Sequence, residues 1–389
     1  MKCKLGEIFE VGSGGTPLKN HPEYYGGDIP WIKTGDLKCK YLYASEDYIT
    51  KDGLNNSSAK MYPPDTVLIA MYGATIGATS ILKISACTNQ ACAAFKKSEK
   101  VLPEYLYYFF KSQKERFVKD GVGGAQPNIS AGYLKNVEME VPILEKQTEI
   151  VSILDKVNKV LEQRRMELQE LDNLIKSRFV ELFGDPMENP MGWDRVNISA
   201  VVGGKVSNGF FAKRDDYCDD GNVKVLGVAH VVNRMYSNTE DLPTTNGSET
   251  DIAKYGVKYG DILFCRSSLV AAGIGKASIV PKDTPDNVLF ECHVIRLPLD
   301  LDKCVPEFMQ VLSTTDYFRN QVIAQSKTAT MTTIGQDGIL KTDIILPPLD
   351  LQKQFLKFVE QTDKSKSEVQ KSLKETQVLM DSLMQKYFG

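Results

Sequence analysis

Val141-Pro142-Ile143-Leu144-Glu145-Lys146-Gln147 recurs as Leu346-Pro347-Pro348-Leu349-Asp350-Leu351-Gln352, and Leu182-Phe183-Gly184 recurs as Tyr387-Phe388-Gly389. Both matches share an offset of 205 residues, so the 389-residue chain carries one plan twice. Between the landmarks the first copy spaces apolar residues at Ile150, Leu154, Val157, Leu161, Leu168, Leu171, Ile175 and Leu182, a seven-residue pattern that forms one face of a long helix. The second copy has Phe355, Val359, Thr362, Lys366, Leu373, Thr376, Met380 and Tyr387 at the same positions, keeping the register while softening several contacts. Each helix is expected to run about 40 residues, roughly 60 Å at 1.5 Å per residue. Neither stripe suits water, so the two helices are expected to pack together. The stripes could serve only to dimerise the protein. That each follows one half of the chain favours a spacer formed within one chain.

The segments before the helices also resemble one another, with drifting offsets that imply insertions. Gly27–Ile32 parallels Gly221–Leu226, Asp65–Ile69 parallels Asp261–Cys265, and Thr75–Ile81 parallels Gly273–Ile279, each a turn feeding a short β-type run. Leu102-Pro103-Glu104-Tyr105-Leu106 then parallels Val305-Pro306-Glu307-Phe308-Met309, with proline near a helix start. Strands followed by a helix, twice, predict an α+β globule in each half. The expected boundaries are 1–142 and 185–345 for the globules and 143–184 and 346–389 for the helices, which run antiparallel as a coiled coil in a pseudo-two-fold arrangement.

Composition narrows the function. With 47 Lys and Arg against 50 Asp and Glu there is no global basic field, so any nucleic-acid contact must be local. Eight cysteines without a CxxC pair read as reduced thiols, and the three histidines lack metal-site spacing, so no metal is expected. The opening MKCKLGEIFE is too charged for a signal peptide and no run approaches a membrane span, which points to a soluble, cytoplasmic protein.

Catalytic motifs fail one by one. Gly12-Ser13-Gly14-Gly15-Thr16 lacks the spacing and lysine of a phosphate loop, and Gly121-Val122-Gly123-Gly124 lacks a preceding strand, so both read as plain flexible loops. The Pro-Pro pairs at Pro63-Pro64 and Pro347-Pro348 do not form the aromatic clamp of an adenine methyltransferase, and read as punctuation. No GxSxG elbow or HExxH helix is present. The chain reads as non-catalytic, with no cofactor of its own.

Two variable globules, each followed by a copied helix that ends in Phe-Gly, resemble the specificity subunit of type I restriction-modification enzymes. The stretch GSGGTPLKNHPEYYGGDIPWIKTGDL from Gly12 to Leu37 is similar to the opening of that family's target recognition domains. The resemblance implies that each globule reads one part of a split double-stranded DNA target. It further implies that the helices hold the globules apart and dock two methyltransferase (M) subunits, which supply S-adenosylmethionine. Restriction and translocase (R) subunits would join that core. The rival reading is a coiled-coil adaptor that binds protein only; it leaves two loop-rich globules with divergent polar tips unexplained.

Base reading needs donors and acceptors on loops held by a rigid scaffold. In the first half the candidates are Ser13, Thr16, Lys19, Lys33, Thr34, Tyr72 and Thr75; in the second, Asn208, Lys213, Arg214, Arg234, Arg266, Ser267 and Lys276. The alternative for each is an ordinary solvated loop residue. Gln126 and Asn128 could equally cap the following turn. Two readers on one face of B-DNA would address major grooves about 34 Å apart, leaving an asymmetric site with about six or seven unread base pairs. Replacing both Leu161 and Leu168 by Asp is expected to lower stability by several kcal/mol, because the charges would be buried without partners. Unchanged thermal melting would show that the stripe is not packed.

Overall fold

The computed structural model describes residues 2–121 and 128–389. The chain divides into two compact units, one of residues 1–165 with 371–389 and one of residues 166–370. Both long helices are present, Leu144–Phe183 and Leu349–Phe388, each 40 residues long.

In the first unit β1 (Val11–Ser13), β2 (Tyr25–Ile32), β3 (Tyr41–Leu42), β4 (Val67–Ala70), β5 (Thr79–Leu82), β6 (Ala86–Thr88) and β7 (Cys92–Phe95) carry the scaffold. Five of them make a sheet in the order β1-β7-β4-β5-β3. Its inner strands are short apolar runs buried on both faces, Val-Leu-Ile-Ala in β4 and Cys-Ala-Ala-Phe in β7. Beside it β2 runs parallel to β6, with Trp31 opposite Cys87 and Ile32 opposite Thr88. The short helix Pro103–Ser112 begins on its proline and buries Tyr105, Leu106, Phe109 and Phe110.

The second unit repeats this plan with β8 (Ser207–Asn208), β9 (Val223–Leu226), β10 (Asp261–Cys265), β11 (Ser267–Ser268), β12 (Ala277–Ile279), β13 (Val288–Phe290), β14 (Val294–Pro298), β15 (Lys327–Thr328) and β16 (Thr332–Thr333). The sheet order β8-β14-β10-β12 matches β1-β7-β4-β5, and β9 lies parallel to β13 as β2 does to β6. Tyr236 bridges Ile279 in parallel where Tyr41 faces Ile81. A small ribbon, β11-β16-β15, is added to this unit. The short helix is Pro306–Ser313.

Register corrects one sequence match. Gly77 N–H donates to the Ala70 carbonyl and Gly275 N–H to that of Cys265, so Ala70 is equivalent to Cys265 and Thr66, not Asp65, to Asp261. Aligning the two acids put the strands one residue out. Asp65 sits in a turn at φ +65°, whereas Asp261 is a buried strand residue that accepts the Lys258 N–H at 3.0 Å.

Each long helix is fixed to its globule by one buried side chain. Gln147 donates to the carbonyls of Pro142 (2.8 Å) and Lys100 (2.9 Å) and accepts from Leu102 N–H (2.9 Å). Gln352 repeats all three bonds with Pro347 (2.8 Å), Lys303 (3.3 Å) and Val305 (2.9 Å). Both glutamines are fully buried. Within the first unit Ile150, Leu154 and Leu161 share a core with Met380, and Leu373, Leu383 and Phe388 pack against it. Within the second, Phe179 and Phe183 pack edge-on against Phe355, 5.7 and 5.6 Å between ring centres, and Lys366 pairs with Asp172 at 2.7 Å. The helices therefore run antiparallel in each unit. Lys366, which interrupts the apolar stripe, reaches that partner from it.

A polar contact is also repeated. Tyr41 donates to Glu104 at 3.2 Å, and Tyr236 donates to Glu307 at 3.1 Å. Lys83 lies 3.9 Å from Glu104, whereas Glu307 accepts from two tyrosine hydroxyls, Tyr236 and Tyr259, the latter at 3.4 Å. Burial holds the Glu307 carboxyl above the usual carboxylate range, and its second oxygen has no partner. Glu307→Gln keeps the acceptor and removes the charge. Below the ordinary glutamate pKa both forms of the wild type are protonated and the variant has no advantage. As pH rises through the raised native value, wild type alone loses stability, so by pH 8 the variant is expected to be more stable by on the order of 1–3 kcal/mol. Denaturant melts across pH 5–8 that show a constant difference would contradict this.

Candidate nucleic-acid interface

The strand directions decide where the candidate loops meet. In the first unit β1 and β4 both run antiparallel to β7, so they finish at the end of the sheet where β7 begins. The turn Asn89-Gln90-Ala91 joins β6 to β7 there, and Asn89 N–H donates to Ile32 at the close of β2. Ser13 at the end of β1, Lys33 and Thr34 after β2, and Tyr72 and Thr75 after β4 are thereby gathered at one sheet end. Thr16 contacts the Gln90 side chain, and Thr75 donates to the Tyr72 carbonyl at 3.1 Å. Tyr72 is 42% exposed, so its ring is available from outside. Lys33 lies over the Trp31 ring and pairs with Asp47 at 2.5 Å, which offsets its charge. Lys19 stands apart in an exposed turn closed by His21 N–H on Leu18.

The second unit gathers its loops in the same way around Glu291-Cys292-His293, between β13 and β14. Arg266 N–H donates to His293 and its guanidinium to Cys292 at 3.2 Å, while Val228 N–H donates to the Glu291 carboxylate at 2.7 Å. Asn208, Arg266 and Ser267 meet at this end. Ser267 is only 8% exposed and is tied into the ribbon, so it supports the loop more than it presents a hydroxyl. Lys213 and Arg214 are exposed on a separate turn in which Asp216 accepts the Lys213 N–H at 2.6 Å. Arg234 is folded back on the carbonyls of Ala229 and Val232, and Lys276 donates to Asn233 at 2.6 Å. Both line a cavity of about 340 Å³ with Lys176 and Arg319, two cations the sequence reading did not single out.

Gln90 and Glu291 were missed as well. Their turns look in sequence like the middle of an apolar run, and the only cue was a polar residue at a strand junction. His230 accepts from Gly227 N–H at 3.0 Å through Nδ1. Burial, then the Arg234 charge, lowers its pKa, so it is a neutral acceptor at pH 7.

The glycine stretch at Gly12–Thr16 is not the flexible loop expected. Gly14 and Gly15 are buried, and Gly15 N–H donates to Thr88 at 2.9 Å. A Cβ on Gly14 would overlap the Thr88 carbonyl, and one on the equivalent Gly209 would overlap the carbonyls of Phe290 and Glu291. These glycines let the loop after β1, and its counterpart after β8, lie flat on the ends of β6 and β13. Val122, Gly123, Gly124 and Gln126 lie outside the described residues. Asn128 does not cap the following helix; it bridges Tyr72, and Ser130 provides the cap by accepting Tyr133 N–H at 3.0 Å. Among the described residues no helix is long and apolar enough to cross a membrane.

The resulting surface in each unit is a rigid sheet end bearing hydroxyls, amides, a carboxylate and cations on short loops. That inventory suits hydrogen bonding to base edges and phosphates. Residues 1–172 and 190–377 match the family described as type I restriction modification DNA specificity domain, and the chain belongs to that family. It is 30% identical over 259 residues to the specificity subunit of the type I restriction enzyme MjaIX from Methanocaldococcus jannaschii, covering 61% of this chain and 59% of that one. It is 32% identical over 158 residues to the EcoR124I/EcoR124II specificity subunit of Escherichia coli, 39% of each chain. These matches thus span less than two thirds of either relative. The StySPI subunit of Salmonella potsdam is 24% identical over 392 residues, covering 92% of this chain and 81% of that one. In fold the chain is similar to the type I restriction-modification S subunit from M. genitalium, with a TM-score of 0.55 at 13% identity over 100% of this chain and 96% of that one. A chain from a type I restriction-modification assembly gives a TM-score of 0.57 at 15% identity, over 100% and 97%.

Gly14→Ala is expected to destabilise the first unit by about 1–3 kcal/mol, as overpacking does, whereas Gly35→Ala, with open space at its Cβ, should stay within about 0.5 kcal/mol. Chemical denaturation of both variants checks this; equal effects would mean the loop is not pressed on Thr88.

Proposed function

We propose that this chain is the DNA-reading subunit of a type I restriction-modification system, with each α+β globule reading one half of a split, asymmetric duplex target. In this reading residues 1–142 and 185–345 are the target recognition domains and 143–184 and 346–389 the spacer. The observation that carries it is the repeated scaffold with unlike side chains at equivalent reading positions. Lys33 stands where the second unit has Gly227, Asn89 where it has Glu291, and Tyr72 where it has Ser267. One protein fold that holds its backbone and varies its loop ends is what two different base sequences require.

The reaction belongs to partners. Two methyltransferase subunits would bring S-adenosylmethionine and methylate adenine, and restriction subunits would cleave and translocate in the cytoplasm. The chain itself contributes position and specificity without a catalytic step. Val160 on the first helix and Val378 and Leu379 on the second are exposed apolar residues within the first unit, and are proposed as part of the methyltransferase contact.

Exchanging residues 185–345 for the matching segment of another family member is expected to change one half of the methylated sequence and leave the other intact. Sequencing methylated adenines in cells that carry the chimaera and its methyltransferase is the measurement. A change in both halves would sink the two-reader assignment, and unmethylated DNA with a folded chimaera would sink the family role.

A further inference from the structure

Leu269 and Val270 are 81% and 63% exposed, at the reading end of the second unit. An exposed Leu-Val pair is unremarkable on a mobile loop, but this one is held from several sides. Ser267 pairs with Thr333 and Ser268 with Thr332 in the ribbon, and Thr328 and Thr332 join their hydroxyls at 3.0 Å. The Ser268 hydroxyl accepts Val270 N–H at 3.3 Å, the Val270 carbonyl accepts Gly273 N–H at 3.0 Å, and Arg319 donates to Ala272 at 3.0 Å. Two aliphatic side chains are thus fixed in water on a braced tip, where burial would be favourable by about 25 cal/mol per Å² covered.

The tip is also specific to this unit. Between the equivalent bonds Gly77 to Ala70 and Gly275 to Cys265, the second unit is three residues longer, and the added length falls within 267–270. Its surroundings are not those of a protein-docking face. Arg266 precedes it, exposed Lys327 and Thr328 stand on the same ribbon, and two side chains are far too little for a stable protein interface. A narrow ribbon that presents the exposed Lys327 and Thr328 beside an aliphatic tip has the chemistry of an element entering the major groove, which admits a β-ribbon. The apolar group presented there is the 5-methyl of thymine.

We infer that Leu269 and Val270 read a thymine 5-methyl group in the half-site addressed by the second unit. This rests on the DNA-reading function proposed above and adds a base and two residues to it. Lys327, exposed on the ribbon, holds a flanking phosphate.

The test uses the full chain with its methyltransferase and a duplex carrying the site mapped from methylated adenines, with each thymine in turn replaced by deoxyuridine, which lacks only the methyl. For wild type, loss of one methyl in the second unit's half-site is expected to weaken binding about three- to tenfold. Leu269→Ala/Val270→Ala should weaken binding to the thymine duplex by a similar factor and be indifferent to that deoxyuridine, while any methyl dependence in the other half-site is unchanged. Because both side chains are exposed, the variant is expected to melt like wild type. A half-site without thymine on either strand, no methyl dependence in wild type, or the same dependence in the variant would overturn the inference. If wild type bound no duplex at all, the DNA-reading function would fall first and this assignment with it.

Discussion

Three hydrogen bonds from one buried glutamine set the geometry on which each unit is built. The Gln147 amide joins the carbonyl five residues before it to the strand-to-helix corner at Lys100 and Leu102, and Gln352 does the same at Lys303 and Val305. Leu102 and Val305 each precede a proline that opens the short helix over the sheet. The amide thereby locks the start of a 40-residue helix to the helix that covers the sheet. Truncating it would leave an N–H and two carbonyls unpaired in a dry site, at about 1–3 kcal/mol each. With that origin fixed, the apolar stripe can face only one way. Ile150 and Leu154 then meet the first core, and Phe355 and Val359 the second.

On this frame the backbone is conserved between the units more strictly than the side chains. Gly15 N–H on Thr88 becomes Phe210 N–H on Phe290, Asn89 N–H on Ile32 becomes Glu291 N–H on Leu226, and Gly77 on Ala70 becomes Gly275 on Cys265. Each of these bonds closes a loop at the same end of the sheet. Backbone bonds do not depend on residue type, so the loops can exchange lysine for glycine or asparagine for glutamate and keep their place. The tyrosine–glutamate contact is less free: Tyr41 and Glu104 persist as Tyr236 and Glu307, and in the second unit the buried carboxyl needs its donor.

The candidate surface was legible in outline and not in detail. Loops after β1, β2 and β4 could be named, because turn residues and apolar runs mark strand ends. Which residues on them face outward depended on neighbours far along the chain. Arg234 looked like a free cation and is bound to the carbonyls of Ala229 and Val232. Ser267 looked like a free hydroxyl and lies under the ribbon. Leu269 and Val270, which no spacing singled out, stand in solvent.

By itself the sequence determined the duplication, the two long helices, the short proline-led helices and the α+β character of each half. These are properties of spacing: a seven-residue stripe, a proline at a helix start and a copied Gln-to-Gly landmark are all readable within a few turns of chain. Only the tertiary structure decided the strand register, where matching Asp65 to Asp261 was one residue out, and the convergence of separate loops around Gln90 and Glu291. Register depends on hydrogen bonds between strands, and Ala70 and Cys265 are placed by Gly77 and Gly275 rather than by their own neighbours. The packing of Gly14 on Thr88 was likewise invisible in sequence, because a glycine that permits flexibility and one that permits close approach are the same residue until the other strand is in place.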